Sequence, residues 1–197
     1  MKKLSVELTF VEPILGSTPN SQENLRKFIA SKAENPAKET EEAEAVTEDE
    51  EAEPTRTVFP RTEDGIPFLW DYQVKGFFKS ACQALNMVDA KNKLTAFKRK
   101  IDQLVFIDER KIPYILPDGT DIDLLTRPLR AQTAKGERIA LAESEMLPAG
   151  TTVKFTVTTL DDSLMTRVKD WLDYGIYNGI GQWRNAKYGS FRWVEIS

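Results

Sequence analysis

The last 24 residues of the chain place glycines, basic side chains and aromatic rings close together. Glycine lets a backbone approach a ligand closely and adopt a positive φ angle without steric cost. Basic side chains neutralise phosphate groups, and aromatic rings stack on nucleic-acid bases. The segment is therefore typical of a nucleic-acid contact loop that leads into a terminal strand. Its candidate contact residues are Gly179, Gly181, Trp183, Arg184, Lys187, Tyr188 and Arg192.

The same segment also fits a purely structural interpretation. A turn followed by a half-buried edge strand would place the aromatic side chains in the core without any ligand. Short clusters of aromatic and basic residues occur in both settings. The sequence pattern leaves both interpretations open.

The residues available for catalysis are restricted, because the chain has no histidine and Cys82 is its one cysteine. The commonest general base and metal ligand are therefore absent, as is every triad that needs imidazole. A zinc site of the Cys/His type is excluded as well. Aspartates at 118–123 and 161–162 could hold a hard cation, but both groups are typical of turns and helix caps. We expect no catalytic residue, no metal site and no cofactor, and any catalysis would depend on Tyr, Lys, Asp or Glu.

The negative charge of the chain is concentrated in one segment. The net charge is −4 overall, whereas residues 34–53 alone carry ten acidic residues and one lysine. The remainder is therefore net positive, which permits a polyanionic partner. An acidic, alanine-rich segment without aromatic residues cannot bury enough apolar surface to offset its ordering entropy. Residues 34–57 are predicted to form a disordered acidic insertion.

Cysteine usage and hydropathy indicate the compartment. One cysteine cannot form an internal disulfide, and Cys82 lies in an apolar helix pattern, where a buried structural thiol is expected. No apolar run reaches the ~18 residues of a membrane span, and the start of the chain lacks the apolar core of a signal peptide. We expect a cytoplasmic protein with no membrane partner.

Hydrophobic periodicity and turn residues predict the secondary-structure elements. The alternating pattern of residues 3–10 indicates a strand with one buried face. Other predicted strands are a short one beginning near residue 57, and 104–107, 111–116, 151–160 and 190–196. A hairpin is predicted with arms 129–133 and 138–144. Predicted helices are 21–33, 72–85, 90–101 and 164–174.

This order of elements predicts an α+β fold. Strand–helix–strand units near both ends indicate an antiparallel sheet with helices on one face, with hairpin insertions between them. The chain would form one domain: residues 1–33 supply the first strand and a short helix, 34–57 the disordered insertion, and 58–197 the rest.

Four segments, taken in order, resemble the RAMP superfamily, the ferredoxin-like RNA-binding proteins of CRISPR effector complexes. They match its first strand with a Pro-x-x-x-Gly turn, its Lys-Gly helix, the strand that opens its second half, and its glycine-rich loop. Pro13 and Gly16 stand one residue closer together than is common in that turn. The matching segments are residues 5–16, 72–82, 148–157 and 175–191.

The resemblance implies a ferredoxin-like or RRM-like fold that binds single-stranded RNA, chiefly through backbone phosphates. It places Lys75 and Lys79 near the first motif and the glycine loop, so that helix and loop would line a single groove. Two further candidate phosphate contacts are Arg127, just before the first arm of the predicted hairpin, and Arg130, within that arm.

The chain also departs from catalytic members of that superfamily. It has no histidine for acid–base chemistry, and its first turn lacks an evident catalytic aspartate. The leading hypothesis is therefore a non-catalytic RNA-binding protein within, or related to, a CRISPR-type ribonucleoprotein, with single-stranded RNA and other effector-complex subunits as partners. One alternative is a metal-independent endoribonuclease that uses Tyr or Lys. Another is a protein-interaction module or CRISPR inhibitor from a mobile element, which would bind through residues 34–53.

Overall fold

The computed structural model describes residues 1–20, 55–89, 91–133 and 136–196. Its helices in these ranges are α1 (Asp71–Val88), α2 (Phe97–Leu104) and α3 (Ser163–Asp173). The strands are β1 (Lys2–Phe10), β2 (Ile14–Leu15), β3 (Thr18–Pro19), β4 (Thr55–Val58), β5 (Phe68–Trp70), β6 (Val105–Ile107), β7 (Lys111–Pro113), β8 (Asp123–Thr133), β9 (Gly136–Leu147), β10 (Thr152–Thr159) and β11 (Phe191–Glu195).

Four strands form the main sheet in the order β11-β1-β10-β6, with every neighbouring pair antiparallel. Helix α1 lies between β1 and β6 in the chain, and α3 joins β10 to β11. Each unit is a split βαβ motif, because a strand of the other unit lies between its two strands. This is the ferredoxin-like order, so the predicted α+β class is confirmed.

The core lies between this sheet and the two helices α1 and α3. The inward residues of β1 alternate with outward ones, as a half-buried strand requires. The rings of Phe78 in α1 and Trp171 in α3 approach to 5.5 Å between centroids, which joins the two helices. The predicted packing of helices on one face is therefore correct. The fully buried large side chains include Phe10, Phe78, Phe155, Trp171 and Phe191.

A second sheet is built from the long hairpin β8–β9, which β2, β3 and β4 extend. The predicted hairpin is present, but both of its strands are longer than predicted. Strand β8 pairs only with β9 among the described strands. A proline is tolerated on such an edge, so Pro128 lies within the strand opposite Leu141 without breaking it.

Helix α2 is shorter than the predicted helix 90–101, because it begins only at Phe97. The Asp89 carboxylate accepts hydrogen bonds from the backbone and side-chain amides of Asn92, at 3.1 and 2.8 Å. The Asn86 side chain likewise bonds both backbone groups of Leu94. Polar side chains that hold the backbone in a turn compete with helix formation. Residues 91–96, at the start of the predicted helix, are therefore not helical.

Two predicted elements fall largely outside the described residues. The short helix 21–33 lies wholly outside them, as does most of the acidic insertion 34–57. Strand β4 begins at Thr55, so residues 55–57 of that range belong to a strand. The tip of the β8–β9 hairpin, including Lys135, is also outside the described residues.

One end of the main sheet, here called the loop end, gathers the two segments that matter for function. At this end β1 finishes at Phe10, opposite Phe191, the first residue of β11. Gln73 in the first turn of α1 donates to the Ser17 hydroxyl at 3.0 Å, which brings the start of α1 to the same end. The turn after β1, the segment before β11 and the start of α1 therefore lie together.

At the opposite end of the sheet, Lys2 pairs with Thr159. Arg167 in the first half of α3 donates to the Asn92 carbonyl, which follows α1. Lys91 and Lys93 therefore lie at the end of the molecule away from the loop end. None of the helices in the described ranges is both long and apolar enough to cross a membrane.

Candidate nucleic-acid interface

The glycine loop, residues 174–190, closes on itself through two glycines. The Ile180 amide donates to the Gly189 carbonyl at 3.0 Å. A Cβ atom on Gly179 would overlap the Gly189 carbonyl, and one on Gly189 would overlap the Ile180 carbonyl. The two backbone segments can approach this closely only because both positions lack a side chain.

The loop is fixed to the turn after β1. The Gly189 amide donates to the Pro13 carbonyl at 2.8 Å, and the Val11 amide donates to the Ser190 carbonyl at 2.9 Å. Gly181, with φ +102°, packs against Ile14. The first and last of the four sequence motifs therefore meet, although residues 5–16 and 175–191 are far apart in the chain.

Two non-glycine residues of the loop have left-handed backbone conformations, Trp183 at φ 55° and Lys187 at φ 67°. Such a conformation costs on the order of 1–3 kcal/mol and persists where the surrounding structure imposes it. These two residues flank the short 3-10 turn Arg184–Ala186, closed by a 2.9 Å bond from the Lys187 amide to the Arg184 carbonyl. The contacts around the loop therefore fix the backbone of Trp183 and Lys187 in a defined conformation.

A three-layer stack braces the loop against the second sheet. The rings of Trp183 and Tyr188 stack with centroids 5.2 Å apart and an interplanar angle of 8°. The Arg127 guanidinium, from β8, lies 4.4 Å from the centre of the Trp183 ring. Arg127 and Tyr188 both contact the Trp183 ring, which leaves the Tyr188 ring as the better placed of the two for stacking a base.

The cations of this region have no carboxylate partner in the described part of the chain. Among the residues that the structure describes, Arg184, Lys187 and Arg192 form no ion pair. The Nε atom of Arg127 is buried without a hydrogen-bond partner in the same set. Arg192 lies opposite Thr9, on the face of the main sheet away from the helices. The loop end therefore presents positive charge that the described part of the chain does not neutralise.

Lys75 and Lys79 do not join this group. Lys79 forms a 3.0 Å ion pair with Asp102, and Lys75 lies 4.8 Å from the centre of the Phe106 ring. Both contacts are on the side of α1 next to α2 and β6. The side toward the loop instead carries Phe77 and Ser80. The prediction of one groove lined by these lysines and the loop is wrong, because the helix turns them to its other side.

Arg130, the remaining candidate, lies in β8 beyond Arg127. Its backbone pairs with that of Ile139 in β9. Its side chain lies outside the described part of the structure.

The sequence pattern does not single out a second cluster of rings and cations, formed by Phe68, Trp70, Tyr72, Arg110 and Lys111. Trp70 and Tyr72 stack with centroids 5.9 Å apart at 20°, and Phe68 meets Trp70 edge-on at 4.7 Å. Arg110 and Lys111 are some 40 positions later in the chain and reach the rings only because β7 pairs with β5. The sequence feature that could have indicated this cluster is the spacing of Trp70 and Tyr72 at the start of the predicted helix 72–85.

No cluster of three or more metal-ligating side chains occurs in the described ranges. Burial raises the pKa of the Cys82 thiol, which keeps it protonated and poorly nucleophilic. The Cys82 thiol is buried, as the sequence predicts.

Comparisons with known proteins reveal similarity of fold. No family model and no curated protein matches the chain. Among solved structures, a chain of the Type III-B Cmr-β complex bound to cognate target RNA has a TM-score of 0.55 and 12% identity, covering 100% of this chain and 60% of that one. A chain of a Type IV-B CRISPR complex has a TM-score of 0.51 and 10% identity, covering 100% and 91%. The fold is thus one that occurs in CRISPR complexes, and this chain spans 60% of the length of the Cmr-β chain.

Proposed function

We propose that this chain binds single-stranded RNA at its loop end, as a non-catalytic component or relative of a CRISPR-type ribonucleoprotein. One observation carries the proposal: a strained loop holds cations that no described acidic residue pairs, next to stacked aromatic rings. The two structural neighbours support it, because both come from CRISPR complexes and one of these is bound to target RNA. Other subunits of such a complex are proposed as further partners.

Each group at the loop end has a distinct role in this proposal. Arg184 and Lys187 bind consecutive phosphates, because Arg184 begins one short backbone turn and Lys187 directly follows it. Arg192 extends the cationic track onto the open face of the main sheet. The outer face of Tyr188 takes a base, while Trp183 and Arg127 hold the tyrosine ring in place.

Three further candidates have lesser roles. Lys75 and Lys79 bind phosphate only if the RNA strand passes around α1. Lys79 must then give up its ion pair with Asp102 for the phosphate. Arg130, which lies in the β8–β9 hairpin, would contact a phosphate of the RNA.

A salt titration of binding to single-stranded RNA tests the proposal. On a single strand, log Kd changes with log salt by about 0.7 per neutralised phosphate. The double variant Arg184→Ala/Lys187→Ala is expected to lose about 1.4 from this slope, which corresponds to about 25-fold weaker binding near 0.1 M salt. Fluorescence anisotropy of a labelled oligouridylate measures both quantities.

The matched control is Lys91→Ala/Lys93→Ala. It removes the same charge from exposed positions at the opposite end of the sheet. Its affinity and salt slope are expected to stay close to those of the unmodified protein. Equal losses in both double variants would show that net charge alone determines the binding and would contradict a site at the glycine loop.

A further inference from the structure

The second aromatic cluster has the components of a nucleotide-binding surface. Tyr72 is 61% exposed although its ring stacks on Trp70, so one ring face is open to solvent. Lys111 Nζ lies 5.4 and 5.9 Å from the ring centres of Phe68 and Trp70, and the Arg110 guanidinium lies 5.9 Å from Trp70. An accessible ring is thus held beside two exposed cations.

Neither Arg110 nor Lys111 forms an ion pair with an acidic residue of the described ranges. Arg61, by contrast, is bound to Glu145 at 2.7 Å. Burial, and after it the negative charge of the neighbouring Asp71, raises the pKa of the Tyr72 phenol. The phenol therefore stays protonated and uncharged near neutral pH.

This cluster adjoins the loop end through a short common segment. Gln73, in the first turn of α1, bonds to Ser17. The glycine loop contacts the same segment at Ile14, through Gly181. Residues 14–17 thus connect the glycine loop to the first turn of α1, which carries Tyr72.

We infer that Tyr72, Trp70, Arg110 and Lys111 form a second subsite for single-stranded RNA, which takes a base on Tyr72 and phosphate on the two cations. The inference rests on the proposed function of the glycine loop. A cationic ligand is disfavoured because Arg110 and Lys111 already occupy the region over the rings. An open ring face beside positive charge that no described acidic residue pairs favours a polyanion that carries flat aromatic groups, which is the chemistry of a nucleic-acid strand.

The side chains of Arg110 and Lys111 need not leave the rings for this. Long basic side chains lay their stems on apolar surface and keep the charged head in water. Their heads can then contact phosphate while the stems stay on Phe68 and Trp70. The base stacks on the outer face of Tyr72 and lengthens the existing stack by one layer.

The test measures the Kd of a 12-nucleotide oligouridylate for the full chain and its variants. Tyr72→Ala is expected to weaken binding by about tenfold, the usual effect of losing one base stack. Tyr72→Phe keeps the ring and is expected to stay within about twofold of the unmodified protein. Arg110→Ala/Lys111→Ala should lower the salt slope by about 1.4, in addition to the loss caused by Arg184→Ala/Lys187→Ala. Because Tyr72 is largely exposed, its variants keep the fold.

The outcomes separate the two proposals. If Arg184→Ala/Lys187→Ala weakens binding but Tyr72→Ala and Arg110→Ala/Lys111→Ala do not, the second subsite is overturned and the loop site stands. If the unmodified protein does not bind the oligonucleotide, both are overturned. If the Tyr72 and Arg110/Lys111 variants lose a protein partner while their RNA affinity is unchanged, the surface binds protein and the assignment to RNA is wrong.

Discussion

Gly179→Ala is expected to lower the free energy of unfolding by about 3 kcal/mol, the upper range for overpacking a closed site. The added methyl group would overlap the Gly189 carbonyl, which is backbone and cannot rotate away as a side chain can. The loop must then separate from its own return segment, so the variant should also lose RNA affinity. Urea denaturation followed by circular dichroism measures the stability, and anisotropy measures the binding.

Gly76→Ala is the matched control for this change. Gly76 lies inside α1 and is exposed, and apart from its chain neighbours and the backbone of its own helix no heavy atom lies within 4 Å of the added methyl group. Alanine is favoured over glycine in a helix, so this variant should be about 0.5–1 kcal/mol more stable. The same chemical change therefore has opposite signs at the two sites. Equal stability of the Gly179 and Gly76 variants would contradict the crossing of the two loop segments.

Phe191→Ala is expected to cost about 3–5 kcal/mol, as for other buried aromatic residues. The side chain of Phe191 is fully buried, and the residue comes directly after the glycine loop in the chain. Its ring lies 5.1 Å from Phe77 in α1 and 6.1 Å from Phe10 in β1, and Gly175 packs against it. It therefore joins the main sheet, α1 and the loop, and its loss should lower the urea midpoint strongly.

Val194→Ala, on the same edge strand, serves as the comparison. Val194 is 56% exposed, so its truncation should change the stability by less than about 0.5 kcal/mol. If Phe191→Ala were as mild as Val194→Ala, the packing of β11 against α1 would be wrong.

The main fold could be predicted because its elements follow local rules. The alternation in residues 3–10 and 151–160 and the helical spacing in 72–85 and 164–174 are set by burial of one face. Each of these segments forms the predicted element to within a few residues, apart from a longer C-terminal end of α1. The start of α2 could not be predicted in the same way, because Asp89 and Asn86 hold the preceding backbone through side-chain bonds.

The candidate site could be predicted only in part. The glycine loop and its basic and aromatic residues are continuous in the chain, so composition alone singles them out. The contact between Trp183 and Arg127 could not be predicted, because Arg127 belongs to a strand far from the loop in the sequence. The structural interpretation of the segment is thus also partly right: Phe191 is buried in the core and β11 is an edge strand.

The rotation of α1 could not be predicted from the spacing of Lys75 and Lys79. That spacing places both lysines on one side of the helix, but tertiary packing decides which side faces the loop. Phe77 packs on Phe191, which turns the lysines toward Asp102 and Phe106. The resemblance to the RAMP superfamily, which placed these lysines beside the loop, stays a prediction.

Ultraviolet crosslinking of a bound oligouridylate, with the attached peptides identified by mass spectrometry, tests most directly whether RNA binds at the loop end. Trypsin cleaves after Lys187 and Arg192, so the ring of Tyr188 is recovered in the peptide 188–192. We expect the nucleotide to be attached to this peptide. Attachment only to peptides from residues 91–104, or none from a protein that binds the oligonucleotide, would contradict the account.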